Sequence, residues 1–70
     1  MSNKKEKLKE FHRRNIIETA KKLFIENGVY QTTMDDIAKE ADYSKSTIYV
    51  YFKSKDEIYS QIAYEDMLSF

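Results

Sequence analysis

One glycine and no proline in seventy residues set the first limit on what this chain can fold into. Hairpins and tight turns draw on glycine at positive φ and on proline at a fixed φ, and a chain almost without either has little of the chemistry that sheets require. Lys, Glu, Ile and Ala are plentiful instead, so the expected fold class is all-α. Cysteine is absent, which excludes a disulfide framework and a thiolate zinc site, and the single histidine, His12, cannot build a metal centre alone. No cofactor is expected.

At this length the chain makes at most one domain with a modest core. No apolar run approaches the roughly 18 residues that span a bilayer, and no apolar segment of a secretory signal follows the N-terminal MSNKKEKLKEFHRR. A cytoplasmic protein with no membrane partner is expected. The formal net charge is zero, which by itself argues against a nucleic-acid partner. Its distribution argues the other way. Residues 1–14 carry six basic and two acidic side chains, whereas residues 56–70 carry four acids and no base.

Helical periodicity divides the chain. From about residue 7 to 27, Leu8, Phe11, Ile16, Ile17, Ala20, Leu23 and Phe24 recur at helical spacing, and Asn27-Gly28 supplies a stop. Residues 1–6 read as a flexible basic arm. Thr32 and Thr33 stand three residues before Asp35 and Asp36, close to a capping box, and Met34, Ile37, Ala38 and Ala41 form one narrow face of a helix over about 33–41. Ser44 is a good N-cap for a third short helix over about 45–52. Two short helices joined by so tight a turn have the sequence form of a helix-turn-helix. Ser54-Lys55-Asp56-Glu57 then opens a fourth helix over 54–70, whose stripe of Ile58, Tyr59, Ile62, Ala63, Met67, Leu68 and Phe70 meets no stop signal. The chain is therefore expected to be a fragment, with 7–53 holding the helix-turn-helix and 54–70 the start of a further helix.

At about 100° per residue, Ile48 and Phe52 share a face and should anchor the third helix to the core. Ser46, Thr47 and Val50 point away from it, Tyr49 and Tyr51 flank it, and Lys45 projects from the first turn. A solvent face of hydroxyls, Val and Tyr without acid is unusual for a surface helix but suits a DNA groove. Small hydroxyls permit close approach, Val50 can meet a thymine methyl, and the tyrosines can reach phosphate and sugar. His12 reads as an ordinary surface residue, and Tyr59 and Tyr64 as packing residues.

The stretch LFIENGVYQTTMDDIAKEADYSKSTIYVYFKSKDEI resembles the N-terminal domain of the TetR family over about residues 16–62. It shares that family's pattern of Phe, Gly, Thr-Thr, Ile-Ala, Ser-Lys, Tyr and Phe, then Lys-x-Lys before a long helix. The resemblance implies a three-helix DNA-binding unit and a fourth helix leading to a ligand-binding, dimerising domain. It implies a transcriptional regulator, a repressor rather than an activator, binding a double-stranded operator as a homodimer and released by a small-molecule inducer. Residue by residue, Thr33 resembles the cap that touches phosphate, with Thr32 the neighbouring candidate. Lys45, Ser46, Thr47, Tyr49 and Val50 resemble the groove-facing set. Tyr51 lies where a phosphate-contacting histidine is frequent, and Lys55 resembles the lysine that meets the DNA backbone. Asp42 replaces a usual Gly, Tyr43 a smaller aliphatic residue, Ser46 a frequent Gly, and Val50 a frequent aromatic or polar residue; these departures bear on the operator sequence rather than the mode of binding.

The rival class is a helical protein-interaction module using the same Tyr and Val face. No nucleophile-and-base pair is visible, so no enzyme is expected. A homeodomain would want a longer third helix with an adenine-reading Asn, which SKSTIYVYF lacks.

Overall fold

The computed structural model describes residues 4–68, with side chains described for 6–65. Four helices follow one another: α1 (Lys4–Asn27), α2 (Met34–Ala41), α3 (Lys45–Tyr51) and α4 (Lys55–Leu68). α1 packs on α2 and α4, and α2 on α3. The first helix begins at Lys4 rather than near Lys7, so residues 4–6, expected in a flexible arm, are helical. Lys and Glu both have good helix propensity, and nothing in KKEKLKE breaks the helix. None of the described helices is long and apolar enough to cross a membrane.

Local chemistry sets each boundary. Gly28 ends α1 at φ 89° while its N–H donates to the Phe24 carbonyl at 2.9 Å, the left-handed stop that glycine adopts without a Cβ penalty. The connector folds back through Thr32, which is fully buried and whose hydroxyl lies 2.9 Å from the Gly28 carbonyl and 3.3 Å from that of Leu23. That burial removes Thr32 as a phosphate candidate. Thr33 makes the cap: Asp36 N–H donates to its Oγ1, and its own N–H donates to Asp36 Oδ2, both at 3.0 Å. Such a reciprocal pair satisfies two otherwise orphaned donors and is worth about 1 kcal/mol.

α2 ends on Asp42 in left-handed geometry, φ 65° and ψ 39°, and Tyr43 N–H donates back to the Ala38 carbonyl at 2.9 Å. Ser44 then caps α3 by accepting from Thr47 N–H at 3.2 Å. Phe52 leaves the helix with extended backbone, so α3 spans seven residues. At the head of α4, Ser54 accepts from Glu57 N–H at 3.3 Å as expected, but the Glu57 carboxylate accepts from Lys53 N–H at 3.1 Å.

The core is aliphatic and draws on every helix. Ile16, Ile17, Ala20 and Leu23 meet Met34, Ile37 and Ala38, with Ile48 and Phe52 below them and Ile58 and Ile62 behind. Burying each large aliphatic side chain contributes about 1.5–3 kcal/mol against the entropy of ordering the chain. The α1 stripe is shorter than its periodicity implies: Leu8 and Phe11 remain more than half exposed, because the first fully buried residue is Ile16. Likewise α4 buries Ile58 and Ile62 but leaves Tyr59 and Tyr64 exposed, while the Met67, Leu68 and Phe70 side chains lie outside those described. On the surface Lys22 donates to Glu40 at 3.0 Å, tying α1 to α2. Hydrogen bonding to that carboxylate, reinforced by its charge, raises the Lys22 pKa above its ordinary value.

Asp42 carries the one positive φ among the described non-glycine residues. Replacing it with glycine removes the Cβ penalty of left-handed backbone while adding unfolded-chain entropy. Asp42→Gly is expected to stabilise the domain by about 0.5–1 kcal/mol, read as a higher midpoint in urea unfolding.

Candidate nucleic-acid interface

α3 reaches solvent because its two anchors are spent on the core: Ile48 is fully buried and Phe52 is 4 % exposed. The opposite face presents Ser46 and Val50, the latter 72 % exposed, with Tyr49 at its flank and 38 % exposed. A lone exposed apolar side chain is ordinary on a protein surface, so Val50 takes its interest from its place on α3 and not from its exposure. Lys45 stands at the first turn, its ammonium 3.2 Å from Asp35 Oδ1 on α2. Both side chains are more than half exposed, and a pair of that kind contributes little and exchanges readily for another anion.

Three of the residues expected in this set also serve the fold. Thr47 is half-buried, and its hydroxyl lies 2.8 Å from Ser44 Oγ, which in turn is 3.1 Å from Ser46 Oγ. This chain of hydroxyls holds the start of α3. Tyr51 is half-buried, packs against the core and turns toward α1, where it lines an open groove with Glu6, Lys9, Glu10 and Arg13. Arg13, one of the residues lining that groove, also lies over the Phe52 ring, 5.7 Å from the centroid. Lys55 is half-buried, and its ammonium donates to the Val29 carbonyl at 2.7 Å.

Thr33 is exposed at the N-terminus of α2, two residues before the Asp35 that pairs with Lys45. Lys45, Ser46, Tyr49 and Val50 are exposed along α3, and Thr47 is half-buried among them. Tyr51 flanks that face at the end of α3, and Lys55 stands apart at the head of α4. Among the described residues no cluster of His, Cys, Asp or Glu could hold a metal ion.

Sequence reasoning missed one constellation. His12 is half-buried, not an ordinary surface residue: its Nδ1 lies 2.6 Å from the Tyr43 hydroxyl, which also accepts from Asn15 Nδ2 at 3.3 Å. The signal available was position, since His12 precedes Ile16 by four residues and so continues the face that Ile16 buries.

Comparison with known proteins bears on the family of the chain. The family of bacterial regulatory proteins described as the tetR family matches residues 16–62. The chain is 52% identical over 52 residues to the HTH-type transcriptional regulator HbdR of Aromatoleum sp. (strain CIB), covering 74% of this chain and 23% of that protein. It is 47% identical over 47 residues to the HTH-type transcriptional regulator YhgD of Bacillus subtilis (strain 168), covering 67% and 25%. Against the biofilm operon icaADBC HTH-type negative transcriptional regulator IcaR of Staphylococcus aureus (strain Newman) it is 48% identical over 46 residues, covering 66% and 25%. The chain thus spans about a quarter of the length of these relatives. No solved structure matches it. With the family pattern covering two thirds of the chain and the capped helix-turn-helix it describes present in the structure, this chain belongs to the tetR family of bacterial regulatory proteins.

Proposed function

We propose that this chain is the sequence-specific DNA-binding domain of a transcriptional regulator, a repressor, that inserts α3 into the major groove. The observation that carries the reading is the outward face of α3: Ser46, Tyr49 and Val50 exposed together, without an acid, on a helix whose anchors lie in the core. Readout of base edges falls to Ser46, Tyr49 and Val50, the last against a thymine methyl, with Thr47 at the margin. Phosphates flank a groove about 12 Å wide. Thr33 and Lys45 serve the backbone on one side of α3, and the Tyr51 hydroxyl serves it at the other end. Lys55 has three donors and uses one on Val29, leaving two for a phosphate at the head of α4.

IcaR is named a negative regulator, which supports repression. The remaining three quarters of such a protein would supply homodimerisation and a site for a small-molecule inducer, and two domains on a two-fold operator would set half-sites about one helical turn apart. The role is binding, not catalysis, and the compartment is the cytoplasm, where the chromosome of a bacterium lies.

Selection of duplexes by the full-length protein, followed by binding titrations over a range of salt, tests the reading. Failure to prefer any sequence over bulk DNA sinks it. Lys45→Ala is expected to weaken binding to every duplex alike and to lower the salt slope by about one. Val50→Ala should instead reduce affinity for the selected duplex while leaving binding to a scrambled one unchanged. Removing the acid beside Lys45 has the opposite sign: Asp35→Asn is expected to tighten binding to all duplexes about two- to fivefold at low salt, through relief of phosphate repulsion.

A further inference from the structure

α3 is short and has one fully buried side chain inside it, Ile48. Ile48 and Phe52 lie on one face, one turn apart, and two such anchors fix where the helix sits more firmly than how it is rolled about that face. The structure supplies two further restraints, and both converge on one residue of α1. Tyr43, the residue before the Ser44 cap, bonds His12 Nδ1 through its hydroxyl at 2.6 Å, with the two rings edge to face at 5.4 Å. Tyr51, the last residue of α3, sets its ring 6.4 Å from the same imidazole.

Three side chains meet at one oxygen. Asn15 donates to the Tyr43 hydroxyl, and between Tyr43 and His12 the donor is the phenol or Nδ1–H according to the imidazole tautomer. His12 itself is half-buried among the rings of Phe11, Tyr43 and Tyr51.

We propose that His12 is a positioning residue for DNA reading: through Tyr43 at one end of α3 and Tyr51 at the other, it sets the angle at which the helix is presented, without touching DNA. The inference rests on the DNA-reading role proposed for α3. It assigns specificity to a residue of α1 outside the helix-turn-helix.

The test compares full-length wild type with His12→Ala, His12→Asn, Tyr43→Phe and the double variant His12→Ala/Tyr43→Phe. Each is titrated against the best duplex recovered by selection and against a scrambled duplex of the same composition, well below its melting temperature and across salt concentrations. His12→Ala is expected to lower the ratio of the two affinities about three- to tenfold, the size of one coupled hydrogen bond, with the salt slope unchanged. Tyr43→Phe keeps the ring and should reproduce most of that loss. The double variant should be no worse than His12→Ala, since both remove one interaction. His12→Asn places an acceptor near the Nδ1 position and should restore part of the ratio.

An unchanged ratio with only a lower melting temperature would overturn the proposal, because His12 would then be a stability residue alone. A salt slope lower by one would also overturn it, by revealing a direct phosphate contact. Wild type that fails to discriminate the duplexes refutes the DNA-reading role and this inference with it; wild type that discriminates alongside indifferent variants refutes this inference alone.

Discussion

The burial of Ile48 is the contact on which the rest of the molecule depends. A seven-residue helix cannot persist alone in water, because nucleation costs more than so few hydrogen bonds return. α3 exists because Ile48 and Phe52 are inserted into the core shared with α1, α2 and α4, and because Ser44 satisfies its first turn. Truncating a fully buried isoleucine typically costs about 2–5 kcal/mol, comparable with the whole stability of a domain this small. The division of labour follows. Side chains facing inward hold α3, and those facing outward are nearly free of folding duties and open to selection for contact.

Electrostatics divide along different lines. A neutral domain meets an anionic partner only if its charges are sorted, and here the basic excess lies toward the N-terminus and the acids toward the end of the chain. Some acids nevertheless stay near the α3 face for structural reasons. Asp36 completes the Thr33 capping box, and Asp35 both complements the start of α2 and pairs with Lys45. If α3 reads DNA as proposed, stability of the short α2 and attraction to phosphate pull in opposite directions at this corner. The Lys45 pair is exposed and therefore costs little to open.

Asp42 shows how the turn copes with a residue that resists its geometry. The left-handed backbone persists because Ala38 and Lys39 carbonyls receive the N–H groups of Tyr43 and Asp42, and because Tyr43 is held from α1 by His12 and Asn15. The large Tyr43 thus gives the turn an external brace, and ties the entry of α3 to the longest helix in the molecule.

Much of the architecture was legible in the residues themselves. Gly28, Thr33, Ser44 and Ser54 act through neighbours two to four positions away, so the helix boundaries and the helix-turn-helix order could be read locally, as could the inward turn of Ile48. Contacts between distant segments were not legible. Periodicity cannot say where a stripe runs out of partners, so Leu8 and Phe11 looked like core and are exposed. Nor could it choose between Thr32 and Thr33, one buried under Leu23 and Gly28, the other a surface cap. Lys55 finds Val29 and His12 finds Tyr43 across 26 and 31 residues of chain. The sequence by itself determined which segments are helical and which face of α3 is bare, because capping and amphipathicity are short-range. Only the tertiary structure decided which polar side chains brace that helix, because such partners meet only after the core has closed.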